Sequence, residues 1–274
     1  MNCIHWNVNP VIFKVFGIPV QYYGILFVSG LLVAIWVLNK IFEENGIPKE
    51  LLEKLITYSV IGVFIGARLG HCLFYEPEYF LSHPIEMIFP ISSSIEGGYI
   101  FTGYRGLASH GGAIGLLTAL ILYCIRTKQQ LIKTLDYIAI VTPAAACFIR
   151  IGNLMNSEII GKPATVPWAF IFERIDNIPR HPTQLYESIA YLIIFITTMF
   201  LYKKNKVTKI YKNNGFFFGI VLVLIFVFRF FIEFLKERQS FFENAMVLDM
   251  GQILSIPFII TGIIFIIYSQ KKIK

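Results

Sequence analysis

Charge is scarce in this sequence. Only 15% of its 274 residues are Asp, Glu, Lys or Arg, against about 25% in a soluble domain. With 56% hydrophobic residues and a mean hydropathy of +0.66, there is too little polar surface to cover the apolar part in water. A large soluble helical core is thereby excluded. Paired cysteines are also lacking: Cys3, Cys72, Cys124 and Cys147 are scattered with no Cys-x-x-Cys. That argues against a zinc site or a disulfide framework. No His/Asp/Glu grouping has metal-ligand spacing, so no metal is expected. There is no Gly-x-Ser-x-Gly elbow, no Walker loop and no internal repeat, which leaves out the common hydrolase, nucleotide and inverted-repeat transporter signatures. Residues 1–17 lack a basic leader, so a cleavable signal peptide is not expected.

What is present is a series of apolar runs near the roughly 20 residues needed to cross hydrocarbon. They fall at about 18–38, 55–75, 109–125, 134–151, 186–202, 216–236 and 253–269. The fold expected is an all-α integral membrane protein of about seven transmembrane helices, forming one polytopic domain over 1–274. The net charge of +7 does not mark a nucleic-acid binder, because the basic residues lie in short clusters between apolar runs. One set of connections (39–54, 126–133, 203–214, 270–274) holds 14 Lys and Arg, and the other (1–17, 76–108, 152–185, 237–252) holds 6. The positive-inside rule then puts the N-terminus outside and the C-terminus in the cytoplasm. The two long connections, 76–108 and 152–185, are rich in Pro, Gly and aromatics. They are expected to form a small outward-facing head, with short strands around Tyr99–Tyr104 and Ala169–Glu173.

This topology sorts the polar residues within the spans. Tyr22 and Tyr23, Arg68 and His71, Ser109 and His110, Arg150, Tyr186 and Glu187, and Arg229 and Glu233 all fall toward the outer ends. A transporter would instead favour a site near the midplane. Each group has a plain structural reading. Arg68 can pair with Glu76, and Gly62, Gly66 and Gly70 suit close helix approach. Tyr22 and Tyr23 suit an interface, and Arg229 and Glu233 can pair at i, i+4. Together they describe a polar, net-basic chamber at outer headgroup depth. An arginine at the edge of hydrocarbon is a functional-site hypothesis, and Arg150 ends an apolar run from Tyr137. Guanidinium forks suit phosphate, so the expected ligand is an anionic phospholipid. His110, followed by Gly111-Gly112, is a candidate base.

The stretch Arg150-Ile-Gly-Asn153-Leu-Met-Asn156-Ser-Glu158-Ile-Ile-Gly161 resembles the signature of bacterial prolipoprotein diacylglyceryl transferases. So do Tyr23-Gly24, Ser109-His110-Gly111-Gly112, Arg180-His-Pro-Thr-Gln-Leu-Tyr-Glu187, Phe228-Arg229-Phe-Phe-Ile-Glu233-Phe and Met250-Gly-Gln-Ile-Leu-Ser-Ile-Pro257. The resemblance covers essentially the whole chain. It implies transfer of the diacylglyceryl group of phosphatidylglycerol to the lipobox cysteine of preprolipoproteins. The products would be a thioether and glycerol phosphate, with no cofactor, in the bacterial cytoplasmic membrane. It further implies His110, Arg150, Arg229 and Tyr23 as catalytic residues, and Arg150, Asn153, Asn156, Glu158, Gly161, Arg229 and Glu233 as substrate-binding ones. The sequence departs from the family pattern in three places: a longer segment between Glu96 and His110, Ile225 where Tyr is frequent, and Lys236 where Arg is frequent.

Overall fold

A computed structural model describes residues 3–89, 91–93, 98–101, 106, 108–208, 214–238 and 246–270. Seven helices are long and apolar enough to cross a membrane: α1 (Tyr22–Glu44), α2 (Lys49–Phe74), α5 (Ser109–Thr127), α6 (Leu131–Asn156), α7 (Thr183–Thr208), α8 (Phe216–Ile232) and α9 (Met250–Gln270). Two short helices, α3 (Pro77–Ser82) and α4 (Pro84–Ile88), follow α2. The protein is an all-α, multi-pass membrane protein, with each span matching one expected apolar run. The chain forms two compact units, one of residues up to Ile41 together with those from Leu135 onward, the other Phe42–Thr134.

In the second unit, α2 and α5 meet through glycines. A Cβ on Gly66 would collide with the Gly111 carbonyl oxygen, and one on Gly70 would come within 2.6 Å of Gly111 Cα. The stripe Gly62, Gly66, Gly70 therefore lets two backbones touch, which helps hold helices together where lipid removes the hydrophobic drive. Arg68 does not use Glu76. It donates to the carbonyls of Glu86 (2.7 Å) and Met87 (3.2 Å) and lies 4.8 Å from the Phe80 ring centroid. Glu76 goes to His71 instead, at 3.5 Å. A buried guanidinium with five donors is better served by the carbonyls at the end of α4 than by one carboxylate. Strands β4 (Ile91–Ser93) and β5 (Tyr99–Phe101) pair antiparallel. The strand expected over 99–104 is present as far as Phe101. Residues 102–105, and with them part of the longer 96–110 segment, lie outside the described residues.

The first unit gathers five spans and a small sheet. Strand β1 (Ile4–Trp6) pairs parallel with β6 (Phe170–Phe172), and β6 pairs antiparallel with β7 (Pro179–Arg180). Trp6 fastens this sheet to α6: its ring packs on Phe170 and its Nε1 donates to the Leu154 carbonyl at 3.0 Å. Strands β2 (Val11–Val15) and β3 (Ile18–Gln21) form a hairpin that runs directly into α1. Helices α8 and α9 approach at Gly219 and Gly262 and stack Phe226 on Phe258 with centroids 4.3 Å apart. Helix α6 is longer than expected. It continues through Gly152 to Asn156, so Asn153 and Asn156 sit on its last turn and not in a loop.

One buried carboxylate ties α6 to α8. Asp136, 6% exposed, accepts from the backbone N–H of Gly215 (2.7 Å) and of Phe218 (2.8 Å). It thereby caps α8 from a neighbouring helix, satisfying donors that no intrahelical carbonyl can reach. Replacing Asp136 by Ala is expected to destabilise the protein by about 1–2 kcal/mol, read as a lowered thermal midpoint in detergent. Asp136→Asn, which keeps one acceptor, should lose less.

Candidate active site

The site grows from the last two turns of α6. Arg150 and Asn153 lie at i, i+3 on one face, and Arg150 Nη1 donates to Asn153 Oδ1 at 3.1 Å. The amide of Asn153 passes the link on, donating to Glu158 Oε2 at 3.1 Å, while Asn156 Nδ2 donates to Glu158 Oε1 at 3.1 Å. Glu158 can reach back because the chain turns sharply after α6. Ser157 and Ile159 both have φ of 57°, a left-handed conformation that is uncommon for Ser and an outlier for β-branched Ile. Strain of this kind persists only where the surroundings impose it. Here the first turn of α7 does so: Gln184 Nε2 donates to the Glu158 carbonyl (2.6 Å) and Thr183 Oγ1 to the Ile159 carbonyl (2.9 Å).

From Arg150 an ion chain crosses three elements. Arg150 Nε lies 3.0 Å from Glu187 Oε2, an ion pair in which the N–H is not aligned on the oxygen, since that oxygen has no hydrogen-bond partner among the described residues. Glu187 is fully buried, and its other oxygen meets Lys236 Nζ at 3.0 Å. The Tyr191 hydroxyl adds a long contact to the same oxygen at 3.4 Å. Lys236, itself 3% exposed, reaches Glu233 Oε1 at 3.1 Å. Glu233 Oε1 in turn faces Arg229 Nη2 at 3.7 Å, too far for a hydrogen bond. The order is Arg150, Glu187, Lys236, Glu233, Arg229. Three cations meet two carboxylates, and a guanidinium stands at each end.

Two glycines make room for this arrangement. A Cβ on Gly152 would press on the Tyr23 ring at 2.8 Å, so Gly152 is the seat that brings Tyr23 against α6. Gly152 lies inside the helix, so its role is this close packing and not a loosening of the backbone. Gly161 pairs with Lys236 in an isolated bridge and donates to the His181 carbonyl at 3.1 Å. A Cβ there would strike His181 backbone and Thr183. Around it, Lys162 N donates to the Leu235 carbonyl and Glu237 N to the Ile160 carbonyl, stitching the segment after α6 to the one after α8. Arg180 holds the rear of the same segment. It donates to Asp176 Oδ2 from Nη2 at 2.5 Å and to the Gly161 carbonyl at 3.2 Å, and it pairs with Glu237.

Most of the residues expected from sequence thus come together. Tyr23, Arg150, Asn153, Asn156, Glu158, Gly161, Arg229 and Glu233 all belong to the first unit. His110 stands apart in this respect: it opens α5 in the second unit and is exposed. Sequence reasoning did not assign Glu187 to the site, and it gave Lys236 no partner. The available signal for Glu187 was a carboxylate at the start of an apolar span, which demands a cation. Four of the six buried side-chain polar atoms without a partner among the described residues also fall here: Asn156 Oδ1, Ser157 Oγ, Gln184 Oε1 and Glu187 Oε2.

Fold and site together define a polytopic membrane protein with a net-cationic charge network at the ends of α6 and α8 and the start of α7. The family model for prolipoprotein diacylglyceryl transferase matches residues 10–268. A Bacteroides fragilis phosphatidylglycerol–prolipoprotein diacylglyceryl transferase is 54% identical over 269 residues, covering 98% of this chain and 96% of the relative. Relatives of the same name from Tolumonas auensis (42%, covering 98% of each chain) and Rickettsia akari (36%, covering 97% and 98%) extend across the same span. The chain belongs to the prolipoprotein diacylglyceryl transferase family, and the protein is a transferase.

Two outcomes test the geometry. Gly161→Ala has no flexible neighbour to displace, so it should abolish or nearly abolish activity in a transfer assay while the protein still inserts. Acid should loosen the segment behind the site. Hydrogen bonding from Arg180 holds the Asp176 carboxyl below its ordinary value. A depressed folded-state pKa contributes stability that is present above the ordinary carboxylate value and lost as pH falls through the lowered one. Asp176→Asn should therefore flatten the acid limb of a thermal-midpoint profile and leave the neutral limb parallel to that of the unmodified protein.

Proposed function

We propose that this protein transfers the diacylglyceryl group of phosphatidylglycerol to the lipobox cysteine thiol of preprolipoproteins, the first step of lipoprotein maturation. The sulfur attacks a glycerol carbon, a C–S bond forms, the C–O bond to phosphate breaks, and glycerol phosphate leaves with the electron pair. Membership of the family supports the reaction. The ion chain from Arg150 to Arg229 carries the assignment of residues, because it holds one more cation than carboxylates and ends in guanidinium groups. Arg150 and Arg229 hold the phosphate, and hold it more strongly as it gains charge. Such an interaction lowers the barrier instead of merely tightening binding.

The remaining roles follow from the contacts. Glu187 fixes Arg150 and Glu233 fixes Arg229, while Lys236 neutralises both carboxylates. Asn153, Asn156 and Glu158 meet the glycerol hydroxyls, with Asn156 Oδ1 supplying an unused acceptor. Gly161, whose side-chain space is filled by His181 and Thr183, keeps the segment after α6 close against the start of α7 beside the ligand. Tyr23, seated on Gly152, positions the lipid. A thiol with a reference pKa of about 8.5 needs a base near neutrality, and His110 takes that role. The asymmetry of Lys and Arg between the two sets of connections supports an N-terminus outside and a C-terminus in the cytoplasm of a bacterial cytoplasmic membrane. Segments 76–108 and 152–185 then form a head on the outer face, where client signal peptides present their cysteine.

Purified protein, phosphatidylglycerol and a lipobox peptide should yield a diacylglyceryl-cysteine adduct by mass spectrometry, and a Cys→Ser peptide none. Arg150→Ala or Arg229→Ala, with the protein still inserted, should lose about 100-fold or more in kcat; turnover like that of the unmodified protein in either would remove the phosphate role. Glu187→Gln should lower kcat more than it raises KM for the lipid, because it frees Arg150 from its orientation without deleting the charge. An unchanged pH profile in an active His110→Ala enzyme would dismiss His110 as the base.

A further inference from the structure

The hairpin β2–β3 is largely unprotected. Residues Ile12 to Pro19 are all exposed, eight in a row. They include Phe13 (51%), Val15 (44%), Ile18 (63%) and Phe16, which is 100% exposed at the turn. Cross-strand partners share a face of a two-stranded ribbon. The register Phe13↔Val20 and Val15↔Ile18 therefore gathers four apolar side chains on one face. Lys14, opposite Pro19, points the other way. The turn is made by Phe16 (φ 49°) and Gly17 (φ 82°). Glycine is at home there, but a bulky aromatic in the left-handed region is an outlier.

An isolated two-stranded hairpin is marginal in water, and a ribbon with one wholly apolar face is an aggregation hazard. What covers it is set by where it stands. Strand β3 ends at Gln21 and α1 begins at Tyr22 with no intervening linker. Five residues of strand reach only about 16 Å, so the hairpin stays at the depth where α1 enters the membrane. Val20 of the hairpin lines one groove with Ile25 and Val28 of α1, so its face adjoins exposed apolar side chains at the start of that span.

We propose that the β2–β3 hairpin inserts its Phe13–Val15–Ile18–Val20 face and the Phe16 tip into the hydrocarbon edge of the leaflet in which α1 begins, with Lys14 at the headgroups. An apolar face beneath a basic one is the pattern of an element lying in the interface. The insertion fixes the height of the start of α1, and with it Tyr23, against the lipid layer. The proposal stands apart from the reaction assigned above and is tested without an activity assay.

The test uses the full chain in nanodiscs of phosphatidylethanolamine and phosphatidylglycerol, with Cys3→Ser removing the one free cysteine that is not buried. Spin labels are attached singly at Phe13→Cys, Lys14→Cys, Phe16→Cys and, as a water-exposed control in the connection before α7, Asn177→Cys. Collisions with oxygen, enriched in hydrocarbon, are compared with collisions with a water-soluble nickel chelate. The oxygen-to-chelate ratio at 13 and 16 should exceed that at 177 by several-fold, with position 14 falling near the control. Ratios at 13 and 16 equal to that at 177 would overturn the proposal. So would labels at 13 and 16 shielded from both reagents, which would mean that protein covers this face.

Discussion

A single buried carboxylate organises the candidate site of this protein. Glu187 has no exposure to solvent and lies between Arg150 and Lys236. A lone carboxylate in that position would cost several kcal/mol, and removing either cation would approach that case. The requirement is mutual, because Arg150 is deep enough that it too needs an anion. The pairing therefore sets the height of α6, α7 and the segment after α8 relative to one another. Glu233 extends the constraint to α9, where its carboxyl lies against Gly251 and leaves no room for a Cβ. Ordinary apolar packing between these helices would tolerate a small slip, but the ion chain would not.

That rigidity explains how the strained turn after α6 survives. The turn that puts Ser157 and Ile159 in the left-handed region is held by bonds from α7 to the Glu158 and Ile159 carbonyls, and α7 is located by Glu187, one helical turn from Thr183 and Gln184. The consequence lies in the position of Glu158. Its carboxylate faces back onto Asn153 and Asn156, so the two amides present a fixed set of donors and acceptors beside Arg150. Groups already oriented before a reaction need not reorganise during it, and that is where electrostatic catalysis gains most.

The spans were readable because hydrocarbon imposes one rule on every backbone group that enters it. All seven apolar runs became helices, and the glycine stripe on α2 met its partner on α5 as its spacing foretold. The Arg150–Gly161 stretch was readable as a candidate site, since charge and amides at the end of an apolar run are costly to keep. Other features depended on partners that a local reading cannot see. The continuation of α6 to Asn156 sets Gly152 against the Tyr23 ring, a partner far away in sequence. The pairing of Ile4–Trp6 with Phe170–Phe172 joins strands more than 160 residues apart. Arg68 turned to carbonyls at the end of α4 in preference to the nearer carboxylate in sequence. Glu187 looked like the start of a span until Lys236 was placed beside it.

Lys236 shows how a departure from the family pattern can be harmless. An arginine is frequent at this position among the proteins the sequence resembles, and a lysine cannot form a bidentate fork. A fork matters only where one planar anion must be gripped. Here the Nζ atom sits between two separate carboxylates, 3.0 Å from one and 3.1 Å from the other. That is work for a compact charge with three rotatable donors. Its backbone is fixed independently, bridged to Gly161 and bonded to the Glu233 carbonyl, so the side chain needs only reach and charge. The position neutralises Glu187 and Glu233 so that each can hold its own arginine. In the proposed reaction, the two guanidinium groups at the ends of the chain are left to meet the anion.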